Sequence, residues 1–220
     1  MKANKVVSSV KDEELIKKRR DQMIRGALAL FKEKGFHRTT TREIAKEAGF
    51  SIGTLYEYIR TKEDVLFLVC DSIHEEVKKR LEAVVNLKQP SMEKLRTVIT
   101  SFFYLMDDMQ EEILILYQEV KSLRKETRGY VLQKEQEMAE MLETAISTCL
   151  PHQLSKQEVA LLANNILIQG HMWSFRRWML HKEFTVDDYI AIQLRFTFNA
   201  MGISLDDRNG GTRNGTGNTI

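Results

Sequence analysis

The sequence TTREIAKEAGFSIGTLYEY, residues 40–58, predicts two short helices joined by a tight turn. Thr40, followed three residues later by Glu43, forms the capping-box pattern that satisfies free backbone N–H groups at a helix start. Gly49 allows a sharp reversal that residues with a Cβ resist. Ser51 is placed to cap the second helix. The stretch therefore predicts a helix-turn-helix.

The outer surface of the second helix carries small, hydroxyl and aromatic side chains. Leu55 and Ile59, four residues apart, are expected to hold this helix against the first, which leaves the other positions exposed. A small residue lets the backbone approach base edges, while hydroxyls and cations reach phosphates. The sequence thus predicts a DNA-reading surface with these residues, near Arg42: Ile52, Gly53, Thr54, Tyr56 and Tyr58.

A longer set of spaced motifs surrounds this stretch. It consists of FKEKGF at 31–36, TTREIA at 40–45, Gly49, GTLY at 53–56 and Lys62-Glu63. Over roughly residues 18–66 the chain resembles the DNA-binding domain of TetR-family transcriptional regulators, and the several fixed spacings make the match specific. Phe50 and Ile59 depart from the usual pattern, but both are apolar and keep the packing role.

The resemblance implies roles for individual side chains. Family positions that hold the DNA backbone correspond to Thr41, Thr54, Tyr56, Tyr58 and Lys62, and those that meet the bases correspond to Ile52 and Gly53, next to the cap at Ser51. Arg42 matches a position that can read bases, where a guanidinium can reach a guanine edge with two hydrogen bonds. A phosphate contact is the alternative for Arg42, and a half-buried packing role is the alternative for Tyr56.

Composition describes an ordinary globular protein with a basic N-terminal part. Of the 220 residues, 43% are hydrophobic and 29% charged, and the formal net charge is +2. Residues 1–62 hold 15 Lys/Arg and 8 Asp/Glu, a net charge of +7, whereas the remainder holds 18 and 23, a net charge of −5. A basic region beside an acidic one is expected of a protein whose N-terminal part meets phosphate.

Other classes of protein are disfavoured. Cys70 and Cys149 lie far apart without metal or disulfide spacing, which favours reduced, buried thiols in a cytoplasmic protein. No apolar run approaches membrane-spanning length, so no membrane partner is expected. The five histidines lack metal-site spacing, and no nucleophile elbow, phosphate loop or dinucleotide signature occurs. We therefore expect no catalytic activity, no cofactor and no bound metal.

Helical periodicity and capping patterns continue through the chain, and no strand-like alternation interrupts them. We predict an all-α protein of about nine helices, with an N-terminal three-helix DNA-binding domain and a C-terminal helical domain for effector binding and dimerisation. One long helix is expected over 155–181. The predicted divisions are a flexible basic arm at 1–11, a helix-turn-helix domain at 12–62, a helical domain at 63–205 and a disordered tail at 206–220.

The family resemblance implies a homodimer that is held by the last two helices and binds a palindromic operator. A single helix-turn-helix makes few contacts, and two-fold symmetry over a palindrome doubles them. Two stripes fit this role, although they would equally suit the core of the chain's own C-terminal domain. The predicted interface consists of Val159, Ile166, Gly170 and Trp173 on the long helix, and Tyr189, Gln193 and Phe196 on the last one.

The resemblance also implies a pocket whose ligand moves the DNA-binding domains apart. Aromatic and methionine side chains at helical spacing form the predicted lining, and plain core packing is the alternative. The candidates are Phe102, Phe103, Met106, Met109, Leu116, Tyr117, His171, Phe175 and Arg176. Arg176 and Arg177 next to apolar material suit an amphipathic anion such as a fatty acyl-CoA, unless they form surface ion pairs with Glu119 or Asp187.

A second resemblance supports that ligand class. The segment at 172–178, with the later residues 188–190, looks similar to the C-terminal domains of TetR-like regulators of acyl-CoA metabolism. We therefore predict a repressor that a small hydrophobic or amphipathic effector releases from DNA. The alternatives are a DNA-binding protein controlled by a protein partner instead of an effector, and a multidrug-type repressor with a different hydrophobic ligand.

Overall fold

The computed structural model describes residues 6, 8–10, 12–85, 89–150 and 154–201. This part of the chain forms ten α-helices and one 3₁₀ helix, without a strand, which confirms the predicted all-α class. The helices are α1 Glu13–Lys34, α2 Thr41–Glu47, α3 Ile52–Tyr58, α4 Lys62–Val84, α5 Met92–Asp108, α6 Gln110–Glu119, the 3₁₀ helix Val120–Ser122, α7 Lys125–Cys149, α8 Lys156–Phe175, α9 Arg177–Glu183 and α10 Val186–Ala200. None of these helices is both long and apolar enough to cross a membrane.

The capping patterns in the sequence mark the observed helix starts. Capping boxes begin α2, α4, α8 and α10, and the hydroxyl of Ser51 caps α3 by accepting a hydrogen bond from the N–H of Thr54. In the first box, Lys34 and the backbone and hydroxyl of Thr40 lower the pKa of Glu43 to about 2. Its carboxylate is therefore charged at neutral pH, as the cap requires.

Helices α1–α3, here called the head, pack through two close approaches. A Cβ on Gly26 of α1 would lie 3.1 Å from the N atom of Ala48, so glycine lets α1 and α2 come together. Gly49 has φ +79° and makes the turn between α2 and α3, as predicted. Gly35, with φ +81°, ends α1, and the ring of Phe36 then packs edge-on against Phe31 at 5.5 Å.

Helix α4 joins the head to the remaining helices, α5–α10, here called the body. It contacts α1 as well as α5, α6 and α7. Its buried face is long and apolar, and it includes Val65, Leu66, Val69, Val77 and Leu81. One continuous helix is therefore packed against both parts of the chain.

The predicted long helix over 155–181 is interrupted. Arg176, with φ −105° and ψ 15°, separates α8 from the short helix α9. Neither glycine nor proline marks this position, so no helix-breaking residue predicts the interruption. The break redirects the chain after Phe175 and leaves Arg176, Arg177 and Trp178 exposed.

Candidate nucleic-acid interface and internal cavity

The N-terminal end of α3 is open and carries a hydroxyl cluster. The Ser51 hydroxyl lies 3.0 Å from both the N–H and the hydroxyl of Thr54. Gly53 is exposed, and a Cβ there would meet only the Ser51 hydroxyl, at 3.6 Å. Ile52 packs partly against the core. This end therefore presents backbone and hydroxyl groups that another molecule can approach closely.

Helix α2 adds an arginine and a second hydroxyl pair to the same surface. The Thr41 hydroxyl lies 3.1 Å from that of Tyr56, whose side chain is 51% exposed. Arg42 is exposed, and no hydrogen bond or ion pair links its guanidinium to another described residue. We call this group the α2–α3 surface: Thr41, Arg42, Ser51, Gly53, Thr54 and Tyr56. Hydroxyls, a guanidinium and open backbone are the groups that contact phosphates and base edges.

Two predicted DNA contacts have different roles in the structure. Tyr58 is only 2% exposed and belongs to the hydrophobic core, so the prediction of an outward Tyr58 is wrong. The Lys62 ammonium donates hydrogen bonds to the carbonyls of Phe36, His37 and Thr39, at 3.0, 3.3 and 3.0 Å. All three of its donors face the loop after α1, so Lys62 fixes that loop instead of projecting toward phosphate.

Residues before α1 contact the far end of α3. The backbone carbonyl of Glu57 accepts hydrogen bonds from the N–H of Ser9 at 2.8 Å and from the hydroxyls of Ser8 and Ser9. The Arg20 guanidinium donates to the carbonyl of Val6, whose side chain is buried. These described residues are therefore docked, which differs from the free arm predicted over 1–11. The predicted tail at 206–220 lies outside the described residues.

A cavity of about 230 Å³ lies between α4, α6, α7 and α8. Of the predicted ligand residues, Leu116, Tyr117 and His171 line it. Most of the wall was not predictable from the sequence, because the contributing residues are scattered over four α-helices and the 3₁₀ helix. The missed lining residues are His74, Val77, Ile113, Val120, Val131, Leu132, Glu135 and Met138.

The other predicted ligand residues lie outside this cavity. Phe102, Phe103, Met106 and Met109 are buried in the core, so for them the alternative of plain core packing is correct. Phe175 stacks on Tyr117 from outside, with ring centroids 4.6 Å apart. Arg176 is exposed and lies over the ring of Trp178 at 5.3 Å. The alternative ion-pair partners of Arg176 and Arg177 contact other residues. Glu119 lies near His37, and Asp187 accepts a hydrogen bond from Tyr104.

Three ionisable side chains interrupt the apolar wall of the cavity. Nδ1 of His74 lies 2.9 Å from the carbonyl of Cys70, and Nδ1 of His171 lies 3.9 Å from a carboxylate oxygen of Glu135. Burial lowers the pKa of His171 to about 4, lowers the pKa of His74 and raises that of Glu135. Both imidazoles are therefore neutral at neutral pH.

Helix α6 lines the cavity on one side and contacts the head on the other. Lys32 of α1 pairs with Glu112 at 2.6 Å and Glu111 at 3.4 Å, and Nε2 of His37 lies 3.5 Å from a carboxylate oxygen of Glu119. Just beyond α6, Arg124 donates to the Thr61 hydroxyl at 2.6 Å. A shift of α6 would therefore change contacts of the head directly.

The predicted dimer stripes mostly face the chain's own core. Val159, Ile166, Gly170, Trp173, Tyr189 and Gln193 are buried within the described chain. The indole N–H of Trp173 donates to Asp107 at 2.6 Å, and the Tyr189 hydroxyl donates to the carbonyl of Gln169 at 2.7 Å. For these six residues the prediction of an interface is wrong, because α5 covers this side of α8 and α10.

A different apolar surface on the last three helices is exposed. We call it the α8–α10 surface, and it consists of Leu161, Ile168, Trp178, Met179, Phe184 and Phe196, with exposed fractions of 36–64%. Phe196 is the one predicted interface residue that belongs to it. Several large exposed apolar side chains on neighbouring helices are characteristic of a protein interaction site.

Two protein-family models match the chain. The model described as bacterial regulatory proteins, tetR family, matches residues 23–69, and the model described as tetracyclin repressor-like, C-terminal domain, matches residues 88–179. The first covers the second half of α1, α2, α3 and the start of α4. The second covers the body from just before α5 to the start of α9.

Individual relatives are regulators of the same kind. The HTH-type transcriptional regulator HbdR of Aromatoleum sp. (strain CIB) is 29% identical over 193 residues, which cover 86% of this chain and 82% of the relative. The fatty acid metabolism regulator protein of Bacillus subtilis (strain 168) is 34% identical over 85 residues, 39% of this chain and 44% of that protein. The structure of AibR in complex with isovaleryl coenzyme A and operator DNA shares the fold, with a TM-score of 0.64, 22% identity and coverage of 80% of this chain and 95% of AibR.

Proposed function

This chain belongs to the TetR family of bacterial transcriptional regulators, and we propose that it is a cytoplasmic, homodimeric repressor of a palindromic operator. A small hydrophobic or amphipathic effector, of which a fatty acyl-CoA is the favoured class, releases it from DNA. The observation that carries the DNA-binding part is the open N-terminal end of α3 beside the unpaired Arg42. A short exposed helix of this kind suits insertion into the major groove.

The α8–α10 surface supports the proposed dimer. Its apolar side chains come from α8, from α9 and its C-terminal end, and from α10, so a second copy can bury several of them at once. A two-fold interface pairs the same surface on both subunits. Two heads held in this way can contact two half-sites of a palindrome.

The cavity and α6 support effector control. The cavity opens beside Tyr117 and Leu132, which are 57% and 49% exposed, so an acyl group can enter while a coenzyme A moiety stays outside. Entry displaces α6, whose outer face holds the ion pair to Lys32 and the contact of Glu119 with His37. The AibR complex with isovaleryl coenzyme A and the Bacillus subtilis relative favour an acyl-CoA over other amphipathic ligands.

The effector proposal is tested by a DNA-release assay. Operator fragments are first selected from genomic DNA with the purified protein, and fluorescence anisotropy then follows their release by acyl-CoAs from acetyl to palmitoyl. We expect release by some thioesters and none by free coenzyme A, which serves as the control. If no thioester releases the operator, the acyl-CoA part of the proposal is wrong. DNA binding is tested separately, by the selection of operator fragments.

Arg42→Ala is expected to relax sequence preference at one base pair of each half-site. The lost guanidinium contact should cost about 1–3 kcal/mol on the preferred operator and much less on an operator changed at that pair. Arg128→Ala, which removes an equal charge from an exposed position on α7, is the matched control and should leave the preference intact. Equal weakening on every operator would instead assign Arg42 to a phosphate.

A further inference from the structure

His74 has a defined hydrogen-bonding state in the effector cavity. Its Nδ1 lies 2.9 Å from the carbonyl oxygen of Cys70, one turn earlier on α4. A carbonyl oxygen only accepts hydrogen bonds, so Nδ1 must carry the proton. In a neutral imidazole the other nitrogen, Nε2, is then an acceptor with a free lone pair.

No described residue donates to this Nε2. The surrounding wall is mostly aliphatic, and its other polar members are His171, Glu135 and, at the mouth of the cavity, Tyr117, which is 57% exposed. Lys134 of α7 does not donate to His74, because its ammonium pairs with Glu75 at 2.8 Å. This acceptor is therefore available to a ligand that supplies a donor.

The size of the cavity limits what it can enclose. A cavity of roughly 150 Å³ in another protein accommodates benzene. The volume here, about 230 Å³, exceeds that only moderately and is below the roughly 300–1,000 Å³ of pockets that enclose drug-sized ligands. The enclosed group is therefore a single substituted ring or a short chain.

We propose that the effector places a ring or short chain bearing a hydroxyl group in this cavity, and that His74 accepts the hydrogen bond of that hydroxyl through Nε2. This inference rests on the proposed function, since it assigns chemistry to the same effector site. The hydroxyl oxygen can in turn accept from an N–H of His171. A carboxylate in this position is disfavoured, because it offers no donor to His74 and would lie near Glu135.

The test compares phenol with benzene as probes of the full-length protein without DNA. Phenol is expected to bind about tenfold more tightly than benzene, as one hydrogen bond to an otherwise unpaired acceptor predicts. His74→Leu should remove this preference while leaving benzene binding. His181→Leu, at an exposed histidine outside the cavity, is the control and should keep it.

A spectroscopic readout covers the case in which His74→Leu does not fold. In the wild-type protein, phenol should shift the ¹⁵N resonance of His74 Nε2 toward the value of a hydrogen-bonded nitrogen, and benzene should not. Equal binding of both probes, no binding of either, or an unchanged Nε2 resonance with phenol would overturn the inference. These probes contain neither thioester nor DNA, so their failure is distinct from a failure of acyl-CoA release.

Discussion

Replacing Ile168 and Phe196 with glutamate is expected to give a monomeric protein that binds the operator at least about a hundredfold more weakly. Both side chains belong to the α8–α10 surface and are 48% and 56% exposed, so the folded monomer tolerates the change. In a two-fold dimer each substitution would bury two carboxylates against apolar neighbours, which is strongly unfavourable. Sedimentation measures the mass, and fluorescence anisotropy measures operator affinity.

Leu132→Glu provides the matched control for this dimer prediction. It introduces the same carboxylate at a leucine that is 49% exposed, but on α7 at the mouth of the cavity. The control should remain dimeric and bind the operator like the wild type when no effector is present. If the Ile168/Phe196 double variant also remains dimeric, the two copies associate through a different surface.

Local chemistry made much of the head predictable from sequence. Thr40 with Glu43, Ser51, and the turn at Gly49 each have a role that nearby backbone groups decide within three or four residues. Such short-range patterns do not depend on which other helix is near. The helix starts at Ser155 and Thr185 were predictable for the same reason.

The orientation of apolar faces was not predictable in the same way. Helix α8 has apolar residues all round, with Ile166 buried and Ile168, two positions on, largely exposed. Periodicity therefore could not tell the face that contacts α5 from the face that stays exposed. The prediction for Tyr58 was wrong for a similar reason, because a tyrosine at the end of a short helix suits either a solvent-exposed surface or the core.

The cavity depends on contacts between distant parts of the chain. His74, Glu135 and His171 come from three helices, and no spacing in the sequence links them. Arg176 and Arg177 looked like the polar end of a ligand site because they follow an apolar segment, but the break after α8 turns them outward. Tertiary packing, rather than local pattern, decided both outcomes.

Gly170→Ala should destabilise the body, although alanine has a higher helix propensity than glycine. A Cβ at Gly170 would lie 2.5 Å from Cε1 of Phe102 and 2.8 Å from Cγ of Met106, and both side chains are fully buried. Overpacking of this kind costs about 1–3 kcal/mol. Alanine recovers only about 0.5–1 kcal/mol of helix propensity. Gly170 thus permits a close approach between α8 and α5 of the same chain.

The opposite sign is expected for Gly129→Ala in the first turns of α7. That position is exposed, and no atom lies within 4 Å of an added Cβ, so only the gain in helix propensity remains. The free energy of unfolding should rise by about 0.5–1 kcal/mol. Urea denaturation of both variants, followed by circular dichroism, compares them under one condition. A stabilised Gly170→Ala variant would mean that Phe102 and Met106 can move aside, and that α5 and α8 are less tightly packed than the structure shows.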